Sequence, residues 1–334
     1  MQKKALALLS GGLDSTLAVK VMLEQGIEIE ALNFISPFCT CTGKNVGCKS
    51  EALRVAAEFN IPIKVMNKGV EYLGIVRKPR HGYGKGMNPC IDCRIFILRK
   101  AREYMAESGA DFVITGEVLG QRPMSQRRDT LRLIERESGL AGLLLRPLSA
   151  RHFEPTIPEQ EGWVDRNRLL AIQGRSRKEQ MQLAKELDVK NYPCPAGGCL
   201  LTELSFVSKV KDIFAHSEEL NLRDFQLLKL GRHFRLTTAT KLLVGRDEGE
   251  NTVLESSVKP GEATLRGIEG GGPLGVLLGG VDDMVLETAA RIVLRYTKAE
   301  TGKECRVKAA VSGNERLMQV TNTYDEAKIE NFRI

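Results

Sequence analysis

Long hydrophobic runs are missing from this chain of 334 residues. No stretch approaches the roughly 20 uncharged apolar residues that a membrane-spanning helix requires. The apolar run in the opening MQKKALALLSGG is too short and too soon interrupted for a secretory signal. Internal repeats and low-complexity tracts are missing as well. The sequence therefore predicts a cytoplasmic protein without a membrane partner.

Histidine patterns typical of metal sites are also missing, because the four histidines are scattered without ligand spacing. Hydrophobic residues make up 42% of the chain and charged residues 27%, as in an ordinary globular protein with a buried core. The length favours two or three domains. A formal net charge of +7 fits a nucleic-acid partner but does not demand one.

Cysteine is the residue type that stands out. The chain has eight, and seven of them fall into two stretches and one pair. In a chain without an export signal, this clustering favours metal binding or redox chemistry over disulfides.

One candidate centre combines three of these cysteines. Cys90-x-x-Cys93 lets two thiolates bind one metal or cluster, and the distant Cys199 completes a three-thiolate set. On a [4Fe–4S] cluster this set leaves one iron open, where a hydrosulfide would be a nucleophile. A structural zinc ion is an alternative, with Cys194 as fourth ligand. In a third alternative Cys199 carries a persulfide, and Cys90 resolves the intermediate as a disulfide.

A second group of cysteines, Cys39, Cys41 and Cys48, lies in one ten-residue loop. This spacing suits a small zinc site or a sulfur relay, and thiols that are partly idle are the alternative. We treat the loop as a candidate second site.

The first half of the chain alternates strand and helix patterns. Lys4 to Leu9 is a short apolar run, and the segment after Gly26 alternates apolar and acidic residues as a strand does. This rhythm predicts an α/β domain at 1–202, with helices on both faces of a parallel sheet. From about Glu203 glycine becomes dense and short β-like runs follow, which predicts a smaller α+β domain at 203–334.

A glycine-rich turn, Ser10-Gly11-Gly12-Leu13-Asp14-Ser15, lies between the first predicted strand and the first helix. Glycine lets the chain turn so tightly that successive N–H groups face one concavity. The helix dipole and the two serine hydroxyls add to this cradle, which suits an anion of pyrophosphate size. The pattern is neither the Walker loop nor GxGxxG. A tight turn with a capping side chain is the alternative interpretation.

The turn resembles the pyrophosphate loop (PP-loop) of the N-type ATP pyrophosphatases, which adenylate a carbonyl oxygen and release pyrophosphate. The resemblance implies that the backbone of residues 10–15 holds the β and γ phosphates of ATP and that Asp14 positions Mg²⁺. It also implies that adenine lies against the end of the second strand, at Asn33 and Phe34. Amidotransferases, NAD synthetases, deazaguanine nitrile synthases and tRNA thiolases share this loop.

Three further stretches resemble the tRNA thiolases, so that the match covers roughly residues 3–202. Thr115 to Gln121, followed by Ser125-Gln126, resembles the TGE-x-LGQ…SQ segment of tRNA 4-thiouridine synthetases, and it implies that Gly116 and Gln121 join the ATP site. The stretch Asn88 to Arg94 resembles the CxxC of iron–sulfur-dependent members and of bacterial 2-thiouridylases. Cys199 stands where those enzymes have a third cysteine. The familiar 4-thiouridine synthetases begin with an RNA-binding THUMP region, whereas this sequence starts directly at the phosphate loop, so we expect the tRNA-reading element elsewhere in the chain.

Candidate tRNA contacts lie in both halves of the chain. Residues near 242–246 and 271–273 resemble an RNA-binding module of ribosome-associated quality-control proteins, and a glycine-rich dimerisation domain is the alternative. Basic residues near the predicted catalytic edge would neutralise tRNA phosphates. They are Arg122, Arg127, Arg128, Arg175, Arg177 and Lys178.

The resemblance implies an enzyme that adenylates a tRNA uridine and replaces its oxygen with sulfur, with Asp14, Cys90 and Cys199 in catalysis. The preferred product is 4-thiouridine, followed by 2-thiouridine. The sulfur donor would be inorganic sulfide, a cysteine desulfurase or a carrier protein, and a homodimer is an open alternative for the oligomeric state. An amide- or nitrile-forming ligase acting on a small molecule, or a non-catalytic sulfur-carrier or RNA-binding protein, are the alternative functions.

Overall fold

The computed structural model describes residues 2–40, 48–192, 198–268, 271–311, 313–323 and 326–334. The chain divides into two compact units, Met1–Glu203 and Leu204–Ile334.

Strands and helices alternate through most of the first unit. Its strands are β1 (Lys4–Leu8), β2 (Glu28–Ile35), β3 (Ile63–Asn67), β4 (Phe112–Thr115) and β5 (Leu144–Leu145). Its α-helices are α1 (Leu13–Leu23), α2 (Cys48–Glu58), α3 (Gly69–Arg77), α4 (Cys90–Ser108), α5 (Arg128–Ser138), α6 (Ile157–Gln160) and α7 (Lys178–Glu186). Short 3₁₀ turns lie at Ala150–His152, Arg166–Arg168 and Leu200–Thr202.

The five strands of this unit pair in parallel, in the order β3-β2-β1-β4-β5. Alternate residues of β1 serve opposite faces of the sheet. Ala5 and Ala7 pack with the buried residues of α1 and α2, whereas Leu6 packs with those of α4 and α5. The predicted α/β fold, a parallel sheet with helices on both faces, is therefore confirmed.

The position of β1 within the sheet explains where a ligand can bind. The chain leaves β1 towards β2 on one side, and β4 pairs with the other side of β1. At such a switch in strand order the loops after two neighbouring strands diverge and leave a crevice at the carboxyl edge. The predicted phosphate loop follows β1 and the segment beginning at Gly116 follows β4, so both border this crevice.

The second unit is built on an antiparallel sheet. Its strands are β6 (Arg232–Arg235), β7 (Lys241–Val244), β8 (Ala263–Gly267), β9 (Leu274–Leu278), β10 (Glu304–Val311) and β11 (Asn314–Thr321). Its α-helices are α8 (Leu204–His216), α9 (Leu222–Leu227), α10 (Glu248–Ser256), α11 (Asp283–Arg295) and α12 (Glu326–Glu330). The strand order is β11-β10-β8-β9-β7-β6.

Helices cover both faces of this sheet. On β7, Leu242 and Val244 pack with the apolar side of α11, while Leu243 packs with Leu227 of α9 and Leu254 of α10. The alternation follows the two-residue period of a strand. This confirms the predicted α+β character of the C-terminal part. Within the described ranges no helix combines the length and apolarity needed to cross a membrane.

We expect residues 1–203 and 204–334, expressed separately, each to unfold cooperatively, because each unit has its own buried core. Urea unfolding followed by circular dichroism would measure this for both pieces. Fluorescence of Trp163, the one tryptophan of the sequence, reports on the first piece alone.

A piece that begins at residue 230 is the matched control, since it lacks α8 and α9 and should lose cooperativity. Broad, non-cooperative transitions in both the 1–203 and the 204–334 pieces would contradict the presence of two independent folding units.

Candidate active site

The predicted phosphate loop forms a tight turn between β1 and α1. Gly11 has φ +75°, and a Cβ at this residue would lie 2.5 Å from the backbone carbon of Glu51. The Ser15 hydroxyl accepts from the amide of Ser10 at 3.3 Å and donates to the carbonyl of Gly12 at 2.9 Å. No side chain caps α1. The first N–H groups of α1 are therefore available to an anion.

Asp14 lies in the first turn of α1 with one carboxylate oxygen fixed. Gln121 Nε2 donates to its Oδ2 at 3.0 Å, and Arg177 approaches the same oxygen at 3.6 Å. Its Oδ1 is buried and has no hydrogen-bond partner among the described residues. Burial raises the pKa of this carboxyl, while Gln121 and Arg177 act in the opposite direction. A cation at Oδ1 would both satisfy the oxygen and favour the ionised form.

The end of β4 packs directly on this loop. A Cβ at Gly116 would lie 2.5 Å from the carbonyl carbon of Asp14 and 2.5 Å from the amide nitrogen of Ser15. Only glycine fits this close approach of two backbones. The sequence placed Gly116 and Gln121 with the phosphate loop, and the structure brings both to it.

Glu117, the next residue, is a buried carboxylate between two arginines. It accepts from Arg146 Nε at 3.2 Å, and Arg94 Nε lies 3.4 Å from its other oxygen. Arg94 follows Cys93 on α4. This pairing therefore connects the β4 segment to the helix that carries the cysteines.

Asn33 and Phe34, predicted to hold adenine, lie near the end of β2. Asn33 is buried, and its Nδ2 donates to the carbonyl of Leu9 at 2.8 Å, which links β2 to the residue before the phosphate loop. Phe34 packs partly against the core on the α4 face. Both residues therefore have structural contacts, and an adenine contact stays a prediction.

Backbone hydrogen bonds join the three chain segments that carry the cysteines. The amide of Met87 donates to the carbonyl of Leu201 at 2.9 Å, and the amide of Leu200 donates to the carbonyl of Phe38 at 2.9 Å. Cys39 and Cys199 face each other across an antiparallel bridge. Cys90 and Cys93 occupy the first turn of α4. The predicted set of Cys90, Cys93 and Cys199 therefore gathers in one place, together with Cys39.

Lys68 and Tyr72 give these thiols unequal acidity. Lys68 Nζ donates to the Cys93 sulfur at 3.0 Å and lies 4.3 Å from the centre of the Tyr72 ring. Burial opposes ionisation of Cys93, but Lys68 and the Tyr72 hydroxyl outweigh it, so that the pKa of Cys93 lies below its ordinary value. Burial raises the pKa of Cys199 to about 12 and also raises the pKa of Cys90. Cys93 is therefore the thiol of this set that ionises most readily.

Four thiols in one place are a donor set for soft metal chemistry. Among the residues that the structure describes, no three Cys, His, Asp or Glu side chains surround one point closely enough to hold a single metal ion. Cys194, the fourth ligand of the zinc alternative, lies outside the described residues, as does Cys41, and the Cys48 side chain is not described. The second site of Cys39, Cys41 and Cys48 thus stays a prediction, with Cys39 placed opposite Cys199.

Arg122, predicted to contact tRNA, lies near both the phosphate loop and the cysteines, close enough for Asp14 and Cys90 to act on its guanidinium. Desolvation and the neighbouring Arg94 lower the pKa of its guanidinium, while Cys90 and Asp14 act in the opposite direction. The positive charge of Arg122 would attract an anion that reaches from the phosphate loop to the cysteines.

The other basic residues predicted to bind tRNA divide between structural and exposed positions. Arg128 donates to the carbonyl of His152 and lies over the Phe153 ring, and Arg127 precedes α5. Arg175 and Lys178 are exposed near the start of α7. Contacts of these residues with tRNA stay predictions.

Lys68, Tyr72 and Arg94 are site residues that the sequence did not single out. Lys68 immediately follows β3, so its position at the carboxyl edge of the sheet was a usable signal. Tyr72 carried no such signal, because only the packing of α3 against α4 brings it to the cysteines.

The fold and this site together define a nucleotide-binding α/β unit, with a phosphate loop at the switch point of a parallel sheet and thiols at the same edge. Residues 1–154 match the family model described as thiamine biosynthesis protein (ThiI). Residues 231–333 match the model described as NFACT protein RNA binding domain. Both resemblances expected from the sequence are thus confirmed for these ranges.

Curated relatives match part of the chain. A tRNA-specific 2-thiouridylase MnmA of Clostridium acetobutylicum is 34% identical over 131 residues, which are 35% of this chain and 36% of that protein. The MnmA of Rippkaea orientalis is 25% identical over 240 residues, 67% of this chain and 63% of that protein. The chain thus spans between about a third and two thirds of the length of these two relatives.

A solved structure, a 4-thiouridine synthetase–RNA complex with bound ATP, is 24% identical to the chain, with a TM-score of 0.38. The match covers 68% of this chain and 52% of the solved one.

Gly116→Ala should weaken ATP binding, because its Cβ would push the phosphate loop away from β4. Backbone shifts forced by an added methyl typically cost about 1–3 kcal/mol, so we expect a loss of affinity of roughly fivefold or more. Isothermal titration calorimetry with ATP and Mg²⁺ measures it. Gly74→Ala on α3 is the matched control, since nothing lies within 4 Å of its Cβ. Equal ATP affinity in the two variants would contradict the close contact as a determinant of binding.

Mild oxidation of the metal-free protein with diamide should produce a Cys39–Cys199 disulfide. In a non-hydrogen-bonded antiparallel pair the Cα atoms lie about 4.5 Å apart, within the range of roughly 4.4–6.8 Å that a disulfide accepts. Peptide mass mapping after alkylation detects the cross-link. Cys305, buried in the second unit, should stay reduced and serves as internal control. A product in which Cys199 is joined only to Cys90 or Cys93 would contradict the bridge.

Proposed function

We propose that the chain is an ATP-dependent tRNA sulfurtransferase, which adenylates a uridine of tRNA and replaces its oxygen with sulfur. The observation that supports this most is that the phosphate loop and the cysteines lie at the same edge of the parallel sheet. The phosphate loop packs against the backbone at Gly116, and the next residue, Glu117, pairs with Arg94, which follows Cys93. Arg122 lies near both groups, since Asp14 and Cys90 each act on the pKa of its guanidinium. An activated oxygen and a sulfur nucleophile must come together in such a reaction.

In the first step the uridine oxygen attacks the α-phosphate of ATP, and pyrophosphate leaves. The amides at the start of α1 bind the departing phosphates, and the unpartnered Oδ1 of Asp14 suits Mg²⁺, which prefers carboxylate oxygen. Gln121 holds the other carboxylate oxygen in place. Arg122 and Arg177 stabilise the negative charge that develops on the phosphates.

A [4Fe–4S] cluster fits the donor chemistry of the cysteines. Cys90, Cys93 and Cys199 would hold it, because a cluster distributes its ligands over separate irons and does not require three donors around one point. When bound, it would supply an open coordination position for inorganic sulfur. Lys68 donates to Cys93 and offsets the negative charge of the thiolates. A zinc centre and a persulfide on Cys199 are the alternatives that a metal analysis would distinguish.

In the second step sulfur displaces AMP from the adenylated uridine. Arg122 keeps the AMP phosphate near the thiols, and the Phe38, Tyr72 and Phe96 rings exclude water from one side of them. The preferred product is 4-thiouridine, followed by 2-thiouridine. Inorganic sulfide, a cysteine desulfurase or a carrier protein would deliver the sulfur, in the cytoplasm.

Recognition of tRNA would combine two surfaces. Arg127, Arg128, Arg175 and Lys178 would neutralise phosphates near the first unit, without reading bases. The second unit, in which residues 231–333 match an RNA-binding domain model, would supply the other surface.

A single reaction tests the proposal. The purified protein, reconstituted anaerobically with iron and sulfide, is incubated with ATP, Mg²⁺, sulfide and unmodified tRNA. Pyrophosphate release is measured by a coupled assay and tRNA nucleosides by mass spectrometry. We expect tRNA-stimulated pyrophosphate release and a thiouridine. Stimulation by a small carboxylic acid and not by tRNA would instead indicate an amide- or nitrile-forming ligase, and no release at all a non-catalytic protein.

Two substitutions should separate the two steps. Asp14→Asn should lower pyrophosphate release roughly 100-fold, since electrostatic stabilisation by one positioned group is typically worth about 3 kcal/mol. Cys90→Ser should retain pyrophosphate release but form no thiouridine, because adenylation does not use the thiol. Both activities are measured in the same reaction.

Cys305→Ser, a substitution in the second unit, is the matched control and should leave both activities unchanged. Thiouridine formed by Cys90→Ser at the wild-type rate would remove Cys90 from the mechanism, and full pyrophosphate release by Asp14→Asn would do the same for Asp14.

A further inference from the structure

The second unit contains a cavity of about 320 Å³ that the proposed catalytic steps do not use. It lies between the sheet, at β6, β7 and the end of β9, and the helices α8 and α9. Its volume is at the small end of the range for ligand pockets, roughly 300–1,000 Å³. A single nucleotide suits this size, whereas a base-paired helix does not.

Arg235 and Lys241 line one wall of the cavity, and both pair with a buried carboxylate of α8. Asp212 of α8 accepts from Arg235 through both carboxylate oxygens, at 2.9 and 2.7 Å, and from Lys241 at 3.0 Å. Asp212 is 8% exposed and Lys241 is 5% exposed. Two cations thus share one carboxylate. The lining also contains the carboxylate of Asp224, which acts on Lys241 and offsets part of this positive charge. Because charge is costly to bury without compensation, the small net positive charge that remains favours an anion in the cavity.

Two more lysines extend this positive charge. Lys259 lines the cavity with an exposed side chain. Lys209 donates to the carbonyl of Leu228, a residue of the cavity wall, at 3.3 Å. Burial and the neighbouring Arg246 and Lys241 lower the pKa of Lys209 to about 8. An anion near this group would relieve that repulsion.

The opposite wall carries a balanced pair. Arg223 donates to both oxygens of Glu262 at 2.6 Å and to the carbonyl of Ser257. Its Nε is buried and has no hydrogen-bond partner among the described residues. The ion pair holds the Arg223 side chain in place but leaves its Nε–H group without an acceptor. A buried donor without an acceptor costs free energy, and a ligand oxygen that accepts from Nε would remove this cost.

His233 of β6 adds an acceptor on the sheet side of the cavity. Its Nε2 lies 2.8 Å from the carbonyl of Leu230, which can only accept, so Nε2 carries the proton. Burial and the neighbouring Lys241 hold the pKa of His233 well below its ordinary value, so the ring is neutral. Its Nδ1 is then an acceptor, buried and without a partner among the described residues. The cavity thus offers cationic groups for a phosphate and an acceptor for an N–H donor, which a nucleobase carries.

We propose that this cavity binds one phosphorylated nucleotide, an unstacked nucleotide of the tRNA substrate, with its phosphate at Lys241 and Lys259. The choice of tRNA as the source rests on the proposed function. Proteins that bind RNA commonly take single unstacked nucleotides into such pockets and contact their phosphates through lysine and arginine. The cavity would thereby fix the register of the tRNA on the second unit.

Hydrogen exchange on the full chain tests the cavity itself, with UMP, uridine and inorganic phosphate as probes. Peptides that cover residues 233–243 and 259–265 report on its walls and not on the phosphate loop. We expect protection by UMP at concentrations at least tenfold lower than by uridine or phosphate. No protection by UMP up to millimolar concentrations would overturn the site. Equal protection by phosphate and UMP would make it a phosphate site and overturn the nucleotide.

Fluorescence anisotropy with labelled tRNA tests the source of the ligand. Lys259→Ser changes an exposed side chain, so the fold should tolerate it. It should weaken tRNA binding about fivefold and lower the slope of log affinity against log salt by about 1, as expected for the loss of one phosphate contact. Lys308→Ser is the matched control, an exposed lysine of β10 paired with Glu315. Equal tRNA affinity in the two variants would overturn tRNA as the source, even if UMP binds.

Lys241→Met provides a second variant, with its melting temperature recorded because Lys241 is buried. It should abolish protection by UMP in the folded protein, and retained protection would overturn the role of this lysine.

These experiments distinguish a failure of the cavity proposal from a failure of the proposed sulfurtransferase function. If tRNA does not stimulate pyrophosphate release but Lys259→Ser still weakens tRNA binding, the sulfurtransferase proposal fails and the cavity proposal stands.

Discussion

The candidate active site depends on one close contact, between the backbone at Gly116 and the backbone at Asp14 and Ser15. Parallel pairing of β1 and β4 brings the ends of both strands to one edge, and the missing side chain at Gly116 lets the loops touch. This contact sets the position of α1, and therefore of the helix amides and of Asp14. Gln121, five residues after Gly116, can then reach the Asp14 carboxylate.

The same contact connects the phosphate loop to the thiols. Glu117 follows Gly116 into the interior, where Arg146 of the sheet edge and Arg94 of α4 share its charge. A buried carboxylate with two cationic partners resists displacement, because removing either partner would leave charge uncompensated. The position of α4, and with it that of Cys90 and Cys93, is thus fixed relative to the loop after β1.

Much of the first unit could be predicted from the sequence, because its signals are local. The alternation of strand and helix patterns and the Ser10–Ser15 turn depend on neighbouring residues, and the carboxyl edge of a parallel sheet then brings the loops together. Position alone could not show that Arg122 lies beside Asp14 and Cys90, since that depends on how the segment after β4 folds back. The pairing of Cys39 with Cys199 joins residues 160 positions apart and had no local signal.

The second unit was less accessible to sequence reasoning for a related reason. Glycine-rich turns and short apolar runs predict strands, but not the order in which antiparallel strands pair. The burial of Asp212 and Lys241 is a tertiary effect: charged residues in α8 and β7 predict solvent exposure, and the structure instead gives them each other and Arg235 as partners. Local rules fail where buried charges compensate one another.

The three segments that carry the thiols are held by main-chain hydrogen bonds, from Met87 to Leu201 and from Leu200 to Phe38. Such bonds do not depend on which side chains the segments carry. A designer could therefore exchange the thiols for imidazoles, carboxylates or apolar groups and keep the same junction of three segments. The backbone bonds that hold the segments together are thus independent of the side chains that react. Point substitutions at the cysteine positions can therefore change the reactivity of the site without changing its backbone.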